Sequence, residues 1–332
     1  MSTRRMLPIA VAVFLCAGQA LAASTPESPH PQVTISNGVV TMSLYLPDPV
    51  KGYYRGSRFD WSGVVSRLTY KGHEYFGEWQ ESDDPLLHDR ICGPVESFQT
   101  GDLPWGYEEA APGKGFVKIG IGVLEKPAEP AYRWNGTYTL LDPGTWKVRR
   151  TDDAIEFRHE LAGPRGMAYR YTKTIRLTGE PPGFTIDHVL ENTGARSIET
   201  SQYNHNFFTI DRLPSGPDVT VRFPFPPKAT HDLKNLLRIE GTQLGYQVEL
   251  RDQDIFTGLE GFGSAASDHE IVIENRRAGA GVRISVDRPL FRLNFWSIRT
   301  TVCPENYVLL RIAPGAQERW KSTYVLYTIE TP

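Results

Sequence analysis

The stretch Tyr169-Arg170-Tyr171-Thr172-Lys173-Thr174-Ile175-Arg176-Leu177 decides the fold class of this 332-residue chain. Its odd positions carry Tyr, Tyr, Lys, Ile and Leu, and its even positions carry Arg, Thr, Thr and Arg. Apolar side chains at every second position, with aromatic and β-branched residues among them, describe a strand with one buried and one wetted face. Residues 184–190 repeat the alternation. Further out, residues 270–284 predict two strands about a turn at Arg277-Ala278-Gly279. Residues 307–312 and 320–329 flank Pro314-Gly315 in the same manner, so both segments read as antiparallel hairpins. Helical periodicity is scarce, and 30 Gly and 25 Pro punctuate the pattern. An α/β fold needs helices between its strands, so the expectation is all-β: a large antiparallel β-sandwich. The longest irregular stretches, residues 100–115 and 213–230, are rich in Pro, Gly and aromatic residues and belong at a rim or over a concave face.

The N-terminus reads differently. Arg4 and Arg5 precede an apolar run from Leu7 to Ala17, and Ala20-Leu21-Ala22 fits the small-x-small rule of signal-peptide cleavage. Residues 1–22 are therefore expected to be a signal peptide, with a periplasmic or secreted mature protein. The run is shorter than the roughly 20 apolar residues a membrane span requires, and no later segment approaches that length. No composition break divides residues 23–332, which are expected to form a single domain. The 36 basic and 39 acidic residues nearly balance, without a basic stripe or an acidic tail, so nucleic acid is not an expected partner. No Cys/His spacing resembles a zinc site, and no metal is expected. Cys92 and Cys303 either pair in an oxidising compartment or stay as two separate buried thiols.

Chemistry concentrates in two short strings, Tyr203-Asn204-His205-Asn206-Phe207-Phe208 and, about a hundred residues later, Cys303-Pro304-Glu305. They offer one imidazole and one carboxylate in all-β surroundings, the minimum equipment for passing protons to and from a sugar. A charged group among Phe295, Trp296, Cys303 and Tyr307 needs a partner or a task. His188 shares an apolar face with Phe184, Ile186 and Leu190 and reads as structural. Trp105, Tyr107, Tyr203 and Trp296 have flat faces suited to stacking on pyranose rings.

These strings, with residues 184–194, Asp268-His269 and Pro314-Gly315, resemble the aldose 1-epimerase, or galactose mutarotase-like, superfamily, most clearly over residues 169–328. The resemblance implies one very large twisted β-sandwich with a sugar on a concave sheet face and no cofactor. It assigns His205 as general acid and Glu305, two residues after Cys303, as general base. Asp268 resembles the family's sugar-binding Asp, and Tyr203, Asn204 and Trp296 are further substrate-binding candidates. The family's early Gly-Arg-x-x-Asn-Arg and Asn-x-Leu-His-Gly-Gly segments are missing. Residues 93–98 and 114–120 stand in their places, with Lys118 roughly where the second His belongs and Arg55 or Arg58 as substitutes for the lost Arg. Residues 117–123 read as one strand with Lys118, Gly120 and Gly122 on one face, and glycines in a strand mark the close approach of a ligand or another backbone. The expected ligand is a mono- or oligosaccharide, and the expected reaction is aldose 1-epimerisation. β-Elimination from a uronic-acid-containing glycan and non-catalytic glycan binding are the alternatives.

Overall fold

The computed structural model describes residues 29–80, 82–99 and 102–329. The proposed signal peptide lies outside the described residues, as does the question of its cleavage. The described residues form strands joined by loops, with three short 3-10 turns and no α-helix. They build an antiparallel sandwich.

One layer is a ten-stranded sheet. Its spatial order is Leu237–Glu240, Gln243–Tyr246, Val219–Arg222, Ile271–Asn275, Ala280–Val286, Gln317–Thr328, Pro182–Asn192, Ala168–Gly179, Ala154–Ala162 and Thr145–Arg150. The facing layer has six strands in the order Lys228–Ala229, Ile255–Glu260, Arg292–Ile298, Thr301–Ile312, Ile198–His205 and Val95–Gln99. A four-stranded meander over residues 32–76 and a three-stranded sheet of Gly115–Lys118, Gly122–Glu125 and Leu140–Asp142 flank this pair.

The alternation at residues 169–177 is realised as expected. Tyr169, Tyr171, Lys173, Ile175 and Leu177 are buried, and the Arg and Thr residues between them lie nearer the surface. Phe98 of the six-stranded sheet meets Tyr171 and Trp320 of the ten-stranded one edge-on, at 5.3 and 6.3 Å. Phe184 and Tyr324 stack at 4.3 Å. His188 is structural, lying parallel to Trp320 at 4.6 Å.

Between the layers lies a buried ionic cluster. The Lys173 ammonium contacts Glu96, stands 3.6 Å from Asp60 and donates to the Ser62 carbonyl at 2.9 Å. The other Glu96 oxygen is 2.8 Å from His188 Nε2. Burial alone raises a carboxyl pKa, but Lys173 and His188 outweigh it and hold Glu96 down at about 2. Burial wins at Asp60, pushed up to about 6.

Two local expectations are corrected. The hairpin about residues 277–279 forms, with Ile271–Asn275 paired to Ala280–Val286. The strands flanking Pro314-Gly315 do not pair. Thr301–Ile312 belongs to the six-stranded sheet and Gln317–Thr328 to the ten-stranded one, so the turn is an arch between layers. Its ends bond to the ten-stranded sheet instead: Gly315 N–H donates to the Asn192 carbonyl and Asn192 N–H to that of Ala316, both at 2.9 Å. Residues 117–123 are likewise a hairpin and not one strand, because Gly120, at φ +79°, lets Lys118 turn back to face Gly122. The close approaches at these glycines are internal. A Cβ at Gly120 would meet Asp60 at 2.6 Å, and one at Gly122 the Asp142 carbonyl at 2.1 Å. Of the two irregular stretches, residues 213–230 contain Val219–Arg222 and Lys228–Ala229, whereas the described part of 100–115 carries no strand before Gly115.

Candidate active site

The site is built from two rungs of the six-stranded sheet. Ile198–His205 and Thr301–Ile312 pair with His205 directly opposite Glu305. Residues opposite each other on antiparallel neighbours project from the same face about 5 Å apart, so their side chains meet. His205 Nε2 stands 3.1 Å from Glu305 Oε1. On the other side of Glu305 the register places Asn294. Asn294 Nδ2 and the Tyr307 hydroxyl each donate to Glu305 Oε2 at 3.2 Å. The second rung runs Ser97, Tyr203, Tyr307, Arg292, and Tyr203 stacks on Tyr307 at 4.5 Å.

The imidazole is held on every side. Phe207 lies flat against it at 3.8 Å, and Phe59 and Trp296 meet it edge-on at 5.5 and 5.6 Å. To reach that position Phe207 adopts φ +42°, a conformation that costs a non-glycine residue about 1–3 kcal/mol and persists only where the surroundings impose it. Asn206 locks the turn, donating to the Pro304 carbonyl at 2.7 Å and accepting from the Tyr324 hydroxyl at 2.8 Å. Gly93 makes room, since a Cβ there would stand 2.5 Å from the Asn206 carbonyl.

Cys303 Sγ lies 2.7 Å from His205 Nδ1. Burial, with the Glu305 charge nearby, pushes this thiol well above its ordinary value, so it remains S–H. With the imidazole neutral, an S–H donated to Nδ1 leaves the proton on Nε2, facing Glu305; with the imidazole charged, Nδ1–H donates to the sulfur instead. Cys92 and Cys303 are two separate buried thiols, the second of the two expected outcomes.

Burial drives the His205 imidazole below its usual value, with Glu305 pulling in the other direction. At Glu305 burial raises the pKa, but His205, Arg58 and Asn294 together hold it below the usual carboxylate range. Near neutral pH the pair is therefore carboxylate and neutral imidazole. Protonating the imidazole while Glu305 stays charged would set a base and an acid side by side.

The dyad opens onto a cavity of about 470 Å³. His205, Glu305, Arg58, Lys118, Tyr203 and Trp296 all line it. The Arg58 guanidinium pairs with Asp89 and lies 4.4 Å over both the Phe59 and Trp134 rings. Arg55 is not among the lining residues. Lys118 is buried, and its ammonium donates to the Phe98 carbonyl at 2.9 Å. Among the described residues no group of three or more His, Cys, Asp or Glu is placed to hold a metal ion.

Two expected substrate-binding residues lie elsewhere. Asn204 precedes His205 in its strand and so points through the opposite face, where Nδ2 reaches the Tyr324 hydroxyl at 3.2 Å and Glu96 at 3.4 Å between the layers. Asp268 sits in a 3-10 turn outside the cavity and accepts the Gly263 N–H at 2.6 Å, a loop-closing role. Trp105 and Tyr107 line a separate cavity of about 360 Å³ with Glu109 and Arg196. Sequence reasoning missed Asn294, Tyr307, Ser97 and Arg292, although their strand parity places them on the face of Glu305 once the register is known.

No family model matches the chain, and no curated protein sequence does. Solved structures do match. The Slr1438 protein of Synechocystis superposes with a TM-score of 0.57 at 14% identity, over 93% of this chain and all of that one. A galactose mutarotase-like protein from Lactobacillus casei gives 0.55 at 13%, over 89% and 100%. A GalM/aldose epimerase homologue from C. elegans gives 0.50 at 10%, over 91% and 100%. At these identities the likeness establishes the fold, which is that of the galactose mutarotase-like proteins.

Proposed function

We propose that this protein binds a carbohydrate and interconverts the α and β anomers of an aldose, with Glu305 as general base and His205 as general acid. The observation that carries the reading is the Nε2–Oε1 separation of 3.1 Å between two buried groups on the floor of a polar and aromatic cavity. Glu305 takes the proton of the anomeric hydroxyl, whose electron pair forms the C1=O1 bond as C1–O5 breaks. O5 takes the Nε2 proton of the imidazolium. The open-chain aldehyde turns about C1–C2, and the reverse transfers close the ring on the other face. Each positioned group typically contributes about 10²- to 10⁴-fold. The Tyr203–Tyr307 pair and Trp296 offer apolar faces to the C–H surfaces of the ring. Residues 1–22 are proposed as the export signal.

The test is α/β exchange followed by one-dimensional NMR over a panel of free aldoses. Wild type is expected to accelerate exchange, and Glu305→Gln is expected to lose that acceleration by about 10²-fold or more while its circular dichroism and melting temperature stay native. Unchanged turnover in Glu305→Gln removes the assignment. Sugar binding without acceleration for any aldose favours a glycan-binding module, and unsaturated products released from a uronate-containing glycan favour β-elimination.

The competent state is carboxylate with imidazolium, so the pH profile has a definite sign. As pH rises through the depressed His205 value the acid is lost, and as it falls through the depressed Glu305 value the base is lost. The kcat/KM profile is therefore expected to peak on the acid side of the ordinary histidine value of about 6.5. A peak above pH 7 contradicts the assignment.

A further inference from the structure

Among the described residues, the cations lining the cavity pair off with one exception deep inside. Arg58 meets Asp89 and Arg292 meets Asp102 at 3.3 Å, while the Glu305 carboxylate faces the neutral His205 imidazole and accepts from Asn294 and Tyr307. Asp254 is exposed at the mouth. Lys118 is 2% exposed, and among the described residues no carboxylate is in contact with it and a single backbone carbonyl, that of Phe98, takes one of its three N–H donors. A buried ammonium without a counter-ion is costly, and a partner that arrives with the ligand relieves the cost.

We propose that Lys118 is the counter-ion site for a carboxylate on the sugar, so that the substrate class of this pocket is a uronic acid or a uronate-ended oligosaccharide. The proposal deepens the epimerase reading, on which it rests for the orientation of the sugar. Lys118 bonds to the open edge of Val95–Gln99, the last strand of the sheet. That edge is roughly two to three strand spacings of ~4.8 Å from the dyad, which places the ammonium against the end of the ligand remote from C1. One unmatched positive charge suits a single carboxylate better than a phosphate dianion.

The surroundings make this amine sensitive to its ligand. Burial, with the Arg58 charge nearby, brings Lys118 down to about 7. The other ionisable groups facing the cavity are Asp89, Asp102, Asp254 and Tyr132 from the loops, and Tyr203, His205, Glu305, Tyr307 and Arg292 from the sheet. A carboxylate bound beside Lys118 raises its pKa again, so binding takes up a fraction of a proton near pH 7 and weakens as pH rises above it.

The experiment is isothermal titration at pH 7, in two buffers of different ionisation enthalpy, with D-galacturonate, D-glucuronate and digalacturonate against D-galactose, D-glucose and glucose 6-phosphate. Wild type is expected to bind at least one acidic sugar about tenfold tighter than its neutral parent, with proton uptake and with affinity lost at high salt. In Lys118→Met the ratio of acidic to neutral affinity is expected to fall to near one. Lys118→Gln keeps a donor for the Phe98 carbonyl without the charge, so the same collapse there separates counter-ion from edge cap and covers the case in which the Met variant misfolds. Equal affinities in wild type, a ratio that survives both variants, binding without proton uptake, tighter binding of the phosphate, or no binding of any probe each overturns the proposal. If acidic sugars bind with these signatures while no anomeric exchange is accelerated, the counter-ion site stands and the epimerase reading falls.

Discussion

On the proposed reading His205 and Glu305 act as one unit, because their neighbours hold the two groups in place. Cys303 Sγ sits against Nδ1 so that Nε2 faces the carboxylate, and Asn294 and Tyr307 occupy Oε2, leaving Oε1 turned to Nε2. Hydrogen bonds to a carboxylate favour its charged form. Removing one by Asn294→Ala is expected to raise the Glu305 pKa and move the acid limb of the kcat/KM profile to higher pH, with kcat lowered several-fold. A profile identical to wild type shows that Asn294 contributes no positioning. The dyad was legible in the sequence because two short strings carry it. Its supports were not, since Asn294 and Tyr307 acquire their meaning only when strands distant in sequence are aligned. Asn204 and Asp268 show the same limit in reverse. Strand parity turns the first inward to Glu96, and local turn chemistry claims the second.

The Val95–Gln99 strand carries the molecule's polar contrast on its two faces. Ser97 looks into the cavity, while Glu96 points between the layers to Lys173 and His188. Taking away one member of a buried ionic group costs about 3–5 kcal/mol, because the other charge stays behind. Lys173→Met is therefore expected to destabilise the fold by that amount in urea titrations, and a change below 1 kcal/mol means the cluster is not ionised. The folded pKa of Glu96 is depressed, so its contribution is fully present above the unfolded value near 4.5 and is lost as pH falls towards 2. Lys173 was read from the sequence as a member of the buried face, and the structure supplies its partners. Hairpins were less legible as elements. Pro314-Gly315 resembles a hairpin turn locally, but a turn does not record whether its two strands enter the same sheet.

At the scale of the whole molecule, one hydrophobic cluster runs through the meander, the ten-stranded sheet and the six-stranded sheet, from Ile35 and Leu68 through Phe184 and Tyr324 to Phe295. A continuous interior of this kind should melt as one unit. Calorimetry on residues 23–332 is expected to give a single transition, and Phe184→Ala, which opens a void against Tyr324 and Phe76, is expected to cost about 3–5 kcal/mol without splitting it. Two resolved transitions contradict a single domain. The all-β class followed from alternation, scarce helical periodicity and Gly/Pro punctuation, whereas the division of the described residues into sheets of ten, six, four and three strands depends on pairings between residues far apart in the chain.

On the proposed assignment, the register that sets His205 against Glu305 also makes turnover a proofreader of folding. A slip of one residue between Ile198–His205 and Thr301–Ile312 sends one partner of the dyad through the opposite side of the sheet. Such a chain keeps its β spectrum, and a refolded preparation that regains activity has regained the alignment of its strands to the single residue.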